Sequence, residues 1–358
     1  MRQLSLRDGR QVQLPAFLPD GTRAVVRGVG ADDLERVGLD CLMVNMLHLA
    51  RRPGSRAIKR VGGVRRFMGW DGAVMSDSGG FQVHSLLRAD SSLGSITDRG
   101  FSYRLDKKDK KRLLTPDKAI QKQAEIGADI LFCLDDCGHP DDPPDVARAR
   151  VDRTLKWARA CKKAFDQRFR KVEDRPLLFG VVQGGSDLEL RRRCALELAE
   201  IGFDGYGFGG WPVGADGQLV DEVSLVAELL PDDKPLHALG IGRPDSLVRA
   251  WSAGYHTFDC SLPTRDARRG RVFRFRAELD PSDPRAFWGD LDLRSDKFAA
   301  DFTPIDEACD GICCTRYSRA YIHHLIRAED PLAVRLATIH NLRFMTRLTD
   351  ALRARAEI

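Results

Sequence analysis

The chain has 358 residues, a net charge of +5 and 43% hydrophobic residues, which is ample for a buried core and long enough for two ordinary domains or one large α/β barrel with an insertion. No run approaches the roughly 18 apolar residues of a membrane span, and the opening MRQLSLRDGR lacks the apolar stretch of an export signal, so a soluble cytoplasmic protein with no membrane partner is expected. The small charge excess does not by itself argue for nucleic acid.

Short apolar runs recur along the chain at 15–18, 41–46, 73–76, 130–134, 177–182, 206–209, 236–241 and 256–260. Amphipathic stretches lie between most of them, at 116–126, 146–165, 188–201, 220–230 and 244–253. Buried parallel strands read as continuous apolar runs, and their alternation with helices predicts an α/β fold. Eight runs favour a (β/α)8 TIM barrel over an open sheet. Segment 87–114 reads as an insertion after the third strand, with a small hairpin around 101–105. Segment 274–300 has no long apolar period and leads into a cysteine cluster. The tail from 318 is strongly helical, interrupted at Pro331. The predicted division is a barrel over 1–275 and a C-terminal subdomain with closing helices over 276–358.

Polar and glycine-rich residues gather at the C-terminal ends of the runs: Asp77-Ser78-Gly79-Gly80, Asp135-Asp136, Gln183-Gly184-Gly185, Gly209-Gly210, Gly240-Ile241-Gly242 and Asp259. That is the end at which a barrel assembles an active site. Asp77 and Asp259 are two carboxylates from opposed strands, which lets one act as nucleophile at a sugar carbon while the other handles protons. Asp135 offers an acceptor and Gln183 an amide, the pair a guanine-like ring requires. The glycines permit close backbone approach to a ligand. Phe81 and Leu239 read either as a sandwich for a flat ring or as core.

Basic residues cluster in KKDKKR at 107–112, RRR at 191–193 and RDARRG at 265–270. The first two read equally well as exposed faces. The third follows Asp259 within ten residues, and arginines beside a reactive acid suit a phosphate backbone. Of nine cysteines, six are scattered, mostly in apolar runs, as buried thiols; Cys309, Cys313 and Cys314 are clustered and need a separate explanation.

In order along the chain, MSDSGGFQVHSL, LFGVVQGG, GFDGYGFGG, LGIGRPDSLVRAW, FDCSLPTRDARRG, DFTPID, YSRAYIHHL and ATIHNL resemble the motifs of tRNA-guanine transglycosylases, over nearly the whole chain from about Phe17. The resemblance implies a (β/α)8 barrel with a zinc-binding insertion, a pentosyltransferase activity of queuosine biosynthesis, and a two-step base exchange on tRNA. Asp259 matches the nucleophile that attacks C1′ and expels guanine, leaving a covalent enzyme–RNA intermediate. Asp77 matches the general base for the incoming 7-deazaguanine. Gln183 and the Gly210 N–H match donors to the base carbonyl, and Gly209 and Gly240, from two separate glycine turns, are further substrate-binding candidates. Asp135 matches the acceptor for the base N–H edge, and Phe81 and Leu239 the stacking pair. Asn45 and Ser78 match supporting pocket residues. Arg265 and Arg268, with Arg269 beside them, match the grip on nucleotides flanking the target. The target base must leave its stack, so an unpaired anticodon loop is the natural substrate. The family often forms homodimers through the face near the metal site.

Three departures from the family pattern stand out. The metal motif reads Cys-x-Cys-x-x-Cys followed by a distant His; alignment on Tyr317-Ser318-Arg319 places Cys309, Gly311 and Cys314 at the cysteine positions and His340 as the distant ligand. Structural zinc through Cys309, Cys313, Cys314 and His340, a three-ligand site and a metal-free site all remain open, while His323 and His324 read as helix-packing residues. In the pocket, Gly209-Gly210-Trp211-Pro212-Val213-Gly214-Ala215 replaces a pattern ending in glutamate, which weakens the case for a cationic aminomethyl base. Asp136-Cys137-Gly138-His139-Pro140 also differs from the usual pattern. Besides exchange on tRNA, the alternatives are insertion of a 7-deazapurine into DNA and a non-catalytic partner subunit.

Overall fold

In the computed structural model, which describes residues 1–6, 8–214 and 216–356, the eight predicted runs form one parallel sheet. Its strands are β1 (Ala16–Pro19), β2 (Cys41–Asn45), β3 (Ala73–Asp77), β4 (Ile130–Phe132), β5 (Leu177–Val182), β6 (Gly205–Phe208), β7 (Leu236–Ala238) and β8 (Thr257–Cys260). The sheet runs β1-β8-β7-β6-β5-β4-β3-β2. A parallel bridge between Asp20 and Met43, with the Gly21 N–H donating to Met43 O at 2.7 Å, joins its two ends. The sheet therefore closes into the predicted (β/α)8 barrel.

The strand pleat sorts the apolar residues into two layers. Ala16, Leu18, Cys41, Met43, Ala73, Met75, Ile130, Phe132, Leu177, Phe179 and Val181 fill the barrel interior. A hairpin of Gln3–Ser5 and Gln11–Gln13 contributes Leu4, Leu6, Val12 and Leu14 to that same cluster. The intervening residues, among them Phe17, Leu42, Val44, Val74, Leu131, Leu178 and Val182, pack outward against the helices.

The insertion after β3 is a three-stranded antiparallel sheet of Gly94–Thr97, Gly100–Tyr103 and Arg112–Leu114. The expected hairpin is thus present, but its turn lies at Asp98-Arg99, before Phe101. Segment 274–300, which showed no periodicity, contains half of a second hairpin: Arg271–Phe275 pairs antiparallel with Trp288–Asp292.

The C-terminal helix Pro331–Arg355 ties the parts together. Ile339, Leu342, Phe344, Met345, Leu348 and Leu352 join the core around the barrel, whereas Ala333, Leu336 and Ala337 pack with Cys309, Cys313 and Cys314. Among the described residues no helix is long and apolar enough to cross a membrane.

Candidate active site and metal-ligand cluster

Strand register delivers the predicted acids to one end of the barrel. Asn45 pairs with Asp77 at the ends of β2 and β3. Asp77 Oδ2 accepts from Asn45 Nδ2 at 2.6 Å and Gln82 Nε2 at 3.1 Å, and its Oδ1 from the N–H groups of Gly79 and Met46 at 3.1 and 3.3 Å. Burial nevertheless pushes the Asp77 carboxyl up to about 7, the negative charge of Asp259 adding to the effect. A carboxyl titrating there can both hold and accept a proton near neutral pH. Asn45 also shapes the backbone: its Oδ1 accepts the His48 N–H at 2.9 Å and caps helix Met46–Arg51.

Asp259, at the end of β8, keeps 18% of its side-chain surface exposed. Its Oδ1 accepts the Gly240 N–H at 3.1 Å. Gly240 sits at φ +80°, a conformation that side-chain-bearing residues rarely adopt.

The pair expected to read a base is also in contact. Gln183 Nε2 donates to Asp135 Oδ2 at 2.6 Å, and Gln183 Oε1 accepts the Gly138 N–H at 3.3 Å. Ser78 Oγ lies 3.5 Å from Asp135 Oδ1. Burial raises Asp135 to about 6, with neighbouring Asp136 contributing. A Cβ on Gly209 would lie 2.4 Å from Gln183 Nε2, so only glycine fits there. Gly210 follows at φ +94°.

Phe81, on the first turn of helix Gly80–Ala89, is 47% exposed, and Leu239, in the turn after β7, is half-buried. Trp211, 44% exposed, meets Phe81 edge-on at 6.1 Å between centroids and His139 at 5.4 Å. Its neighbour Pro212 has no N–H, and its carbonyl accepts from Val220 N at 3.0 Å. Ala215 lies outside the described residues.

Four residues not singled out from the sequence hold this site. Gln82 braces Asp77, and its own Oε1 is buried without a partner among the described residues. Arg150 and Arg153 both pair with the fully buried Asp136, and Arg150 also meets Asp142 at 2.8 Å, which pins the divergent 136–140 segment. Only the i, i+3 spacing of these two arginines hinted at such a role. Arg191 corrects one reading of the basic runs. It is 1% exposed, unlike Arg192 and Arg193, so RRR at 191–193 is not one exposed patch. The guanidinium lies over the Phe208 ring at 4.1 Å and donates to the carbonyls of Val182 and Gly209 at 2.8 Å and Gly185 at 3.0 Å.

Arg265 and Arg269 are exposed and Arg268 half-buried, on or just beyond helix Leu262–Ala267. Burial and the nearby positive charges of Arg27, Arg265 and Arg269 hold Arg268 below the usual arginine value. Asp20 offsets part of that charge, but among the described residues none of the three forms a carboxylate ion pair, and clustered like charges suit a polyanion.

Cys309, Cys314 and His340 bring their ligand atoms within 4.8 Å of one another. Cys314 Sγ lies 3.2 Å and Cys309 Sγ 3.9 Å from His340 Nδ1. His340 Nε2 faces Phe273 O at 2.5 Å, so it carries the proton and leaves Nδ1 free to ligate. These spacings fit three vertices of a tetrahedral zinc site. Cys313 is a correction: it is not part of the group. It sits beside Cys314 on the helix Ile312–Arg316, its thiol within hydrogen-bonding reach of the Cys314 thiol, and is fully buried in the cluster that also holds Ala267, Val272 and Ile322. His323 faces Leu293 O at 2.8 Å, a packing role as read from the sequence.

A closed (β/α)8 barrel with two carboxyls, an acid–amide pair and glycine turns at the C-terminal ends of its strands is the architecture of an enzyme acting at a barrel mouth. The chain matches the family model described as queuine tRNA-ribosyltransferase over residues 1–357 and belongs to that family. It is an enzyme, a pentosyltransferase. It is 40% identical over 343 residues to the queuine tRNA-ribosyltransferase of Caldanaerobacter subterraneus subsp. tengcongensis, covering 96% of this chain and 86% of that one. It is 40% identical to the Symbiobacterium thermophilum protein of the same name, covering 96% and 81%, and 38% identical to that of Novosphingobium aromaticivorans, covering 96% and 88%.

Proposed function

We propose that this enzyme replaces a guanine in an unpaired tRNA anticodon loop by a 7-deazaguanine, through a covalent bond between Asp259 and the ribose. The observation that carries the reading is the pair of opposed acids with different environments: Asp259 tethered at one oxygen and Asp77 raised to about 7. In the first half, Asp259 attacks C1′ as the C1′–N9 bond breaks, and the departing guanine takes its proton from Asp77. In the second, Asp77 removes the N9 proton of the incoming base, N9 attacks C1′, and the Asp259 carboxylate leaves. Asp135 and Gln183 hold the base edge, with the Gly210 N–H towards its carbonyl. Phe81 and Leu239 enclose the ring.

Arg265, Arg268 and Arg269 hold the phosphates beside the target. Cys309, Cys314 and His340 bind structural zinc, which would cross-link the C-terminal helix to the 309–314 segment. The barrel core comprises 1–275 and the zinc subdomain with closing helices 276–358. The enzyme works in the cytoplasm, as a homodimer. Ala215 stands in the sequence where the family pattern has a glutamate, which favours a base lacking a cationic substituent, and Trp211 and Pro212 change the shape and stiffness of the pocket wall.

The test is exchange of labelled guanine into tRNA or duplex DNA, with denaturing electrophoresis to trap the adduct. Label in tRNA with an adduct lost in Asp259→Asn is expected. Label entering only DNA, or full exchange by Asp259→Asn, overturns the reading.

A further inference from the structure

His237 was hidden inside the apolar run of β7, and its fully buried ring bridges two side chains of β8. Nδ1 lies 2.8 Å from Thr257 Oγ1 and Nε2 3.1 Å from Asp259 Oδ1. An ionised carboxylate only accepts, so Nε2 carries the proton and Nδ1 accepts from the Thr257 hydroxyl. Phe132 packs against the imidazole at 5.3 Å between centroids and restrains its rotation. The Gly240 N–H donates to the same Oδ1 at 3.1 Å. Both donors thus converge on Oδ1, and no described residue hydrogen-bonds Oδ2.

We propose that His237 is a positioning residue that, with the Gly240 N–H, fixes Asp259 by Oδ1 and makes Oδ2 the atom that attacks C1′. The inference rests on Asp259 as nucleophile. Oδ2 bonds to C1′ as the C1′–N9 pair departs with guanine, and Oδ1 becomes the ester carbonyl oxygen. On return, the C1′–Oδ2 bond breaks and its electron pair restores the carboxylate. His237 neither gains nor loses a proton. Its N–H stabilises the ionised carboxylate more than the neutral ester, so its loss slows the return step most and leaves more enzyme as adduct.

The experiment compares the full-length enzyme with His237→Phe, His237→Gln and Thr257→Val, using tRNA and labelled guanine. His237→Phe is expected to lower kcat about 10- to 100-fold, with KM for guanine within about twofold, KM for tRNA lowered and a larger trapped-adduct fraction. His237→Gln, which keeps an N–H donor, is expected to recover most of the loss. Wild-type kcat in His237→Phe, a rise in KM alone, or equal loss in the Gln and Phe variants with unchanged melting temperature overturns the proposal. If His237→Phe does not fold, Thr257→Val decides: a lower kcat without a rise in either KM supports the proposal, and an unchanged kcat overturns it. An active Asp259→Asn would instead overturn the nucleophile assignment, so the two failures are distinguishable.

Discussion

Gln183 and Asp135, 48 residues apart in sequence, meet through a 2.6 Å hydrogen bond from Nε2 to Oδ2. The bond fixes which oxygen of Asp135 is occupied, and Gly138 fixes the Gln183 amide orientation through Oε1. The pocket therefore presents an oriented acceptor before any base arrives. Asp135 is held at about 6 by burial. It is ionised above that value and accepts N–H bonds; below it, protonation removes the acceptor. KM for guanine is expected to rise as pH falls through about 6. Asp135→Asn should raise KM about 10- to 100-fold, the worth of a charge-assisted bond, and flatten that dependence. Initial rates across pH 5–8 check both.

Asp77 predicts a second, separate pH effect. Its carboxyl is raised to about 7, so the base form is lost as pH falls through that value. The half-reaction needing a base, attack by the incoming 7-deazaguanine, should slow below about pH 7, whereas adduct formation needs the protonated form and should not. Asp77→Asn is expected to lower turnover by at least about 10²-fold. Single-turnover chase of the trapped adduct, followed against pH, separates the two halves.

The barrel was legible in the sequence because its strands are buried on both sides. Leu177–Val182 is buried along its entire length, leaving an uninterrupted apolar run with a glycine within it. The insertion and the hairpin Arg271–Phe275 with Trp288–Asp292 were less legible. Their strands carry Ser, Arg and Asp on the wet face, and although burial alternates along Gly94–Thr97, Ile96 is its one large apolar side chain, too little to read as a period. Asp77, Asp135, Gln183 and Asp259 were visible as polar residues at strand ends. Arg191 was not, because its burial depends on carbonyls at the end of β5, in the turn after it and after β6. His237 was concealed by its apolar neighbours, and only strand register shows Thr257 beside it. Spacing alone could not separate Cys313 from Cys314, because it counts residues, whereas the fold decides which of two adjacent thiols lies against His340.

Arg191 is expected to be a stability residue with an effect on the pocket. Arg191→Met would leave the carbonyls of Gly209 and Gly185 without this donor, while that of Val182 would keep the Gly209 N–H. Buried acceptors left unpaired should cost about 2–4 kcal/mol. Chemical denaturation should show that loss. The glycine turn at 209–210 would also lose its anchor, so KM for guanine is expected to rise in the variant that still folds.

The arginines after Asp259 should act through phosphate charge. Arg268→Ala is expected to weaken tRNA binding irrespective of the flanking base identity, and to reduce the slope of log K against log salt by about 1. KM for free guanine should not change. Binding titrations of a tRNA stem-loop at several salt concentrations measure the slope. An effect on guanine KM alone would place Arg268 at the base pocket instead.

Gly311 allows a direct test of the metal cluster. A Cβ at this position would lie 3.4 Å from Cys309 Sγ and 3.4 Å from Arg343 Cγ, both ordinary contacts. Its φ of −68° and ψ of 148° suit any residue. Gly311→Cys should therefore add a thiolate beside the three ligand atoms and complete a four-ligand zinc site. The variant is expected to retain about one zinc per chain against a chelator that strips the parent, and to melt at a higher temperature when loaded. Cys314→Ser should do the reverse, losing metal and several degrees of melting temperature. Cys313→Ser should leave zinc content unchanged and cost stability only through burial of a hydroxyl. Metal analysis beside thermal melts distinguishes these outcomes. Equal zinc loss in Cys313→Ser and Cys314→Ser would show that Cys313 turns inward to ligate once the metal is bound.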